Sequence, residues 1–463
     1  MKTFNQDLKN LRQPLGRALL AALVVTLFSG IGPLARAQDL TPLVVIISVD
    51  GMRPDYVTKA DEHGAKIANL RRFLKEGTYA EGVEGVVPTV TYPSHTTLVT
   101  GVWPVKHNIL ANTTFDPLQK NFQGWYWYFE DIHSATLWGA AAQAGRKTAS
   151  IQWPVTVGAP IDWLIPEFWR AGTADDPKLL RAVTTPGLMA EAAPELGEYK
   201  GGIDTTPEAD ETRARYASWI LEKKRPALLT LHLSSLDHTE HDFGPFSPEA
   251  IAVLERIDAD IARVREAAEK IAPGRTFIAV VSDHGFAKVD QQLNLFPAFV
   301  EAKLISTDDK GKITDWKAMP WETGGSAAIV LKDINDSSTA GAVGDLLRKL
   351  AADPANGIDR VLEAGRLHNL GGYPTASFFV SLKPGWRTTF GLTGPVVSKM
   401  AKPGGTHGEL PDVPDLRASF FLAGPGVPAG KNLGVIDMRS IAPTMAKLGG
   451  LSLPGADLKP LLP

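Results

Sequence analysis

The stretch LVVIISVD, residues 43 to 50, is a nearly continuous apolar and β-branched run closed by an acid. Such a run is too short for a typical helix and shows no apolar/polar alternation, which is the pattern of a strand covered on both faces. Three further runs have the same character: ALLTLHL (227 to 233), TFIAVV (276 to 281) and ASFFLAG (418 to 424). Between them, LWGAAAQAGRK (137 to 147), ETRARYASWILEKK (211 to 224) and EAIAVLERIDADIARVREAAEKI (249 to 271) repeat apolar residues at spacings of three and four with charges between. Strands alternating with amphipathic helices predict an α/β fold, a doubly wound, mostly parallel sheet flanked by helices. From about residue 294 to 400 the texture changes to a Lys/Asp/Gly-rich link, DDKGK (308 to 312), and two strand-like runs, SAAIVL and ASFFVSL. This segment is expected to be an insertion that caps the sheet.

The chain has 463 residues, 44% of them apolar and 21% charged, an ordinary balance for a protein that buries a core. Its length suits one large domain with insertions or two domains. Residues 1–37 combine Lys2, Lys9, Arg12 and Arg17 with an apolar run from Ala18 to about Phe28 and end in Ala35-Arg36-Ala37. That order predicts a cleaved export signal, hence a periplasmic or secreted protein, with the catalytic domain over 38–463. No later run is long enough to span a membrane. The leader carries five basic residues and one acid, so the formal charge of −3 becomes about −7 without it, which argues against a general nucleic-acid-binding surface. There is no cysteine, so any metal must be held by His, Asp and Glu. Oligomeric state is not legible.

Three predicted strands lead into acids: Asp50, Asp237 and Asp283. Ligands of open α/β sheets bind beyond the carboxyl ends of the strands, so these acids are expected to share one crevice. A strand-end Asp taken alone is more often a turn former or helix cap. Here each has histidine company. Asp237 and His241 are one helical turn apart, Asp283 and His284 are adjacent, and His407 sits in the glycine-rich GGTHG. Three carboxylates and three imidazoles suit two ions, zinc ahead of magnesium, with manganese or iron as alternatives. His63, His133, His232 and His368 read as hydrogen-bonded structural residues, and His95, His107 and His238 as supports behind the ligands at most. The segment VVPTVTYPSHTTLVTG (86 to 101) places a hydroxyl at a helix start, where free N–H groups favour a phosphate. Thr91 is the preferred nucleophile, though spacing does not choose among Thr89, Thr91 and Ser94. GAAAQAGRKT (139 to 148) misses the phosphate-loop spacing by one residue and reads as a helix end.

The segments SVDGMRPDY, PTVTYPSHTTLVTGVWPVKHNILAN, SSLDHTEHDFGP, VVSDHGF and GGTHGELP, in this order, resemble the nucleotide pyrophosphatase/phosphodiesterase family of the alkaline phosphatase superfamily. The likeness runs from Ser48 to about Gly408. It implies that Asp50, Thr91, Asp283 and His284 surround one zinc, and that Asp237, His241 and His407 hold a second. It further implies that Asn112 grips a phosphate oxygen and that Tyr92, where the family often has phenylalanine, offers a surface for a base. Val90, Ser94 and Glu240 depart from the common pattern and leave the substrate pocket open. The activity implied is hydrolysis of phosphodiester or pyrophosphate bonds in a small-molecule substrate such as a nucleotide, through a phosphothreonine. A phosphomonoesterase or phosphonate hydrolase is the nearest alternative, and a non-catalytic protein stabilised by the same metals a more distant one.

Overall fold

The computed structural model describes residues 41–121, 124–169, 172–200 and 205–462. The expected export signal at 1–37 lies outside them. Eight strands form the central sheet, in the order Lys431–Asn432, Thr78–Tyr79, Phe420–Ala423, Thr276–Val281, Leu43–Val49, Leu228–Leu233, Thr148–Ile151 and Trp163–Ile165. Leu43–Val49 lies at the centre, parallel to both neighbours, with Ile46 opposite Ala279 on one side and Thr230 on the other. Its seven residues are all buried, and they alternate between two cores. Leu43, Val45 and Ile47 face one layer with Ile220, Leu254 and Ile257, while Val44 and Ile46 face another with Leu98, Ile441 and Met445. Each such side chain contributes about 1.5–3 kcal/mol by leaving water, which is why this run is apolar on both faces. The result is the α/β, mostly parallel sheet with helices on both sides that the sequence predicts.

One helical layer is Pro207–Lys224 against Pro248–Ile271. Both start with proline at the first position, and the preceding Thr206 and Ser247 accept hydrogen bonds from Ala209 N and Ala250 N. These caps satisfy otherwise orphaned N–H groups and fix where each helix begins. The strand at Phe420–Ala423 runs antiparallel to Thr276–Val281. The sequence did not reveal this, because strand direction depends on how the chain crosses over and not on composition.

Residues between Ala287 and Thr406 build three smaller sheets, one of them the two-stranded pair Ile305–Thr307 and Ile313–Trp316. Ala318–Glu322, Ser326–Leu331, Ala376–Leu382 and Ile358–Glu363 form an antiparallel four-stranded sheet, and Ala287–Leu293 is flanked by Gly385–Thr388 and Val397–Thr406. Leu293, Phe296, Phe299, Ile329 and Val380 share a core here, separate from the two around the main sheet. DDKGK is the turn between Ile305–Thr307 and Ile313–Trp316. No helix among the described residues is long and apolar enough to cross a membrane.

Candidate metal and phosphate site

Asp50 directly follows the central strand, and Asp283 lies two residues beyond Thr276–Val281. Asp237 is on the helix Ser235–Phe243, which starts two residues after Leu228–Leu233. The sheet therefore delivers all three acids to one end. Asp210 anchors that helix, with its two carboxylate oxygens accepting from Ser234 N at 3.1 Å and Ser235 N at 2.9 Å. His407 follows the strand Val397–Thr406, so GGTHG is partly extended where the sequence suggested a free loop. A Cβ on Gly404 would lie 2.2 Å from His241 O, so glycine is what lets this strand approach the helix.

The side chains meet in two overlapping groups, Asp50/Asp283/His284 and Asp237/His284/His407, each with donor atoms within 4.8 Å of one another. His284 Nε2 is 3.1 Å from Asp283 Oδ2 and 3.4 Å from Asp50 Oδ1. Asp237 Oδ1 is 3.6 Å from His241 Nε2 and 3.5 Å from His407 Nε2. His241 thus joins the second group through Asp237, and His284 lies between the two.

The three histidines share one further feature. The Nδ1 atoms of His241, His284 and His407 face the backbone carbonyls of Gly405, Gly285 and Thr89, each at 3.1 Å. A carbonyl only accepts, so each Nδ1 is the protonated nitrogen and each Nε2 turns a lone pair toward carboxylate oxygen. Lone pairs facing lone pairs repel, and a cation removes the repulsion. Consistently, Asp50 Oδ1, Asp237 Oδ1, Asp283 Oδ2 and His284 Nε2 are buried without a hydrogen-bond partner. Burial and the neighbouring Asp237 push Asp50 well above the usual carboxylate range, and burial and Asp50 do the same to Asp283. Burial lowers His407 to about 4 and also depresses His284, which stacks on it with ring centroids 3.6 Å apart. Neutral imidazoles and crowded acids are the donor set a divalent cation requires.

Thr91 opens the helix Thr91–Thr100, with its start beside the first group: His95 Nδ1 meets Thr91 O at 2.9 Å and lies 3.5 Å from Asp283 Oδ2. The three hydroxyl candidates differ in their surroundings. Thr89 Oγ1 donates to Glu409 O at 2.8 Å and accepts from Gly408 N at 3.1 Å, which holds the His407 turn. Ser94 is fully enclosed, whereas Thr91 retains 9% exposure. Asn112 Oδ1 accepts from Tyr92 N at 2.9 Å, so its carboxamide is fixed beside Thr91. Tyr92 is fully buried between Trp125 and Trp127, and its hydroxyl donates to Glu167 Oε1 at 2.7 Å. Its ring is therefore a packing element and leaves no open face for a base. Of the remaining histidines, His63 stacks on Phe246, His107 bonds Thr97 Oγ1 and His238 is exposed.

The family model for type I phosphodiesterase / nucleotide pyrophosphatase matches residues 44–409. The chain belongs to this family. It is 24% identical over 258 residues to human ectonucleotide pyrophosphatase/phosphodiesterase family member 1, covering 53% of this chain and 24% of that protein. It is also 24% identical over 282 residues to human bis(5'-adenosyl)-triphosphatase ENPP4, covering 58% of this chain and 53% of the relative. The matches thus span about half, or less, of these relatives' length. Murine ectonucleotide pyrophosphatase/phosphodiesterase 5, solved as an inactive variant in complex with AMP, superposes with a TM-score of 0.63 at 19% identity, over 89% of this chain and 96% of that one. That likeness establishes the fold.

Two residues of the site escaped the sequence reading. His232, expected to be structural, is a core residue, but its Nε2 lies 2.9 Å from Asp50 Oδ2. Its Nδ1 lies 3.0 Å from Glu167 Oε2. Burial opposes charge on His232, but the Glu167 carboxylate outweighs it and raises the pKa. The available signal was a polar residue inside an apolar strand, directly opposite Ser48 in the register. Glu167, in the proline-containing WLIPEFW, gave no signal of its own.

Proposed function

We propose that this chain hydrolyses phosphodiester or pyrophosphate bonds of small, nucleotide-like substrates with two zinc ions, through a covalent intermediate on Thr91. The observation that carries this is the set of three imidazoles with Nδ1 tied to carbonyls and Nε2 aimed at unpartnered carboxylate oxygens, next to the Thr91 helix start. Asp50, Thr91, Asp283 and His284 would hold one ion, and Asp237, His241 and His407 the other. Bound there, zinc supplies the positive charge that lowers the pKa of a hydroxyl and stabilises charge on phosphoryl and leaving oxygens.

The chain's own groups do the rest. Thr91 Oγ attacks phosphorus, the bond to the leaving oxygen breaks, and that oxygen departs as an alcohol or phosphate. Water then cleaves the phosphothreonine and restores the hydroxyl. Asn112, fixed through its oxygen, presents Nδ2 donors to a non-bridging phosphate oxygen. The N-terminus of the Thr91–Thr100 helix adds its dipole to the same anion. The segment at about 294–400 is proposed to cap the site. A cavity of about 510 Å³ between Thr113–Phe115 and the inserted Trp321, Glu322 and Phe390 is the place offered to the rest of the substrate. Export guided by residues 1–37 is part of the same proposal.

Thr91→Ala tests the reading. It should retain two zinc per chain by elemental analysis yet lose on the order of 10³-fold or more in kcat on a nitrophenyl nucleotide diester. Near-parental turnover would refute it. Comparison with nitrophenyl phosphate separates diester from monoester preference.

A further inference from the structure

We propose that Glu167 and His232 are positioning residues joining the nucleophile's turn to the Asp50 carboxylate, so that Thr91 and the ion at Asp50 are oriented by one buried linkage. This rests on the reading of Thr91 and Asp50 given above. Glu167 divides its two oxygens. Oε1 accepts from the hydroxyl of Tyr92, the residue after Thr91, at 2.7 Å. Oε2 lies 3.0 Å from His232 Nδ1, and His232 Nε2 reaches Asp50 Oδ2 at 2.9 Å. Asp50 is thereby held by its outer oxygen, and its inner oxygen, Oδ1, is turned toward His284. At the other end Tyr92 N holds Asn112 Oδ1, so the linkage also reaches the residue proposed to grip phosphate.

Three features separate this arrangement from ordinary core packing. Two carboxylates and a histidine are an expensive way to fill an interior when apolar residues would serve. Here the His232 side chain is 2% exposed and Glu167 13%. Aromatic residues enclose the linkage, with Tyr92 against Trp125 and Trp127, and Phe168 and Trp169 packed on Trp127. Low polarity around the charges strengthens each contact. Finally, Gln152, whose carbonyl also faces His232 Nδ1 at 3.0 Å, has φ of +55°. A non-glycine residue is strained in this left-handed region, and here it directs an acceptor at the same ring nitrogen.

The test uses metal-stripped full-length protein titrated with zinc against a chromophoric chelator, together with cobalt(II) absorption spectra and steady-state kinetics. His232→Ala and Glu167→Ala should weaken one of two zinc equivalents by about 10–100-fold, leave the other unchanged, and alter the cobalt spectrum of the affected site. Tyr92→Phe removes a single hydroxyl and should leave both zinc affinities intact while lowering kcat about 10-fold at constant KM. Glu167→Gln keeps size and the bond from Tyr92, so an intermediate loss is expected and the test survives if an alanine variant fails to fold. Two equivalents bound at parental affinity with the parental spectrum in a folded His232→Ala, Glu167→Ala or Glu167→Gln protein would overturn the linkage. Failure of the functional reading looks different: the parent itself would bind no zinc, or Thr91→Ala would remain fully active.

Discussion

The two halves of the site are built differently. Asp50, Asp283 and His284 stand at the ends of central strands, with side chains 5%, 0% and 0% exposed. Asp237 and His241 ride on a nine-residue helix and are 18% and 38% exposed, while His407 directly follows the strand Val397–Thr406. The inner half is framed by backbone that the core cannot move without cost, and it has buried partners behind it in His232 and His95. The outer half depends on two peripheral elements meeting. An inner cation should accordingly be held in a fixed geometry and an outer one more exchangeably.

Removing a ligand from each half is the sharpest way to break this contrast. Asp283→Asn should cost on the order of 10³-fold in kcat, or about 4 kcal/mol, and reduce bound zinc to one per chain, with no recovery in excess metal. His241→Ala should cost less, about 100-fold, and millimolar zinc should restore much of it because water can replace a half-exposed ligand. Equal, unrescuable losses in both variants would erase the distinction. Gly404→Ala probes the contact that assembles the outer half. Its Cβ has only 2.2 Å to His241 O, so the variant should lose about 2 kcal/mol of stability in denaturant unfolding and weaken the outer zinc selectively.

The smallest expected effect is one of pH. Burial first, then repulsion among acids, raises Asp50 and Asp283 above their unfolded value of about 4. Groups with raised pKa contribute their full stability below that unfolded value and lose it as pH climbs through the folded one. Chelated protein should therefore lose stability as pH rises above the unfolded value of about 4, and zinc should cancel the trend. Thermal midpoints with and without chelator at pH 5 and 8 decide it, since parallel curves would show that the carboxylates are not charged against each other.

Much of this was legible in the sequence where a residue's neighbours in the chain determine its role. Leu43–Val49 and Thr276–Val281 are read to the residue because a strand buried on both faces has no alternative composition. Asp237 and His241 follow from one turn of helix. Thr78–Tyr79, Trp163–Ile165 and Lys431–Asn432 are two or three residues long and exist only because longer strands recruit them. Glu167 and His232 were illegible for the same reason. Sixty-five positions separate them, and only the placement of Thr148–Ile151 beside Leu228–Leu233 brings their segments together. The preference for Thr91 over Thr89 and Ser94 likewise rests on features the sequence does not carry, the two bonds that occupy the Thr89 hydroxyl and the full enclosure of Ser94.

Zinc-edge anomalous diffraction from crystals of the zinc-loaded protein would locate both ions. Two peaks are expected beside Thr91, one among Asp50, Asp283 and His284 and the other among Asp237, His241 and His407. A map with zinc elsewhere, or with neither ligand group bearing a peak, would contradict the account.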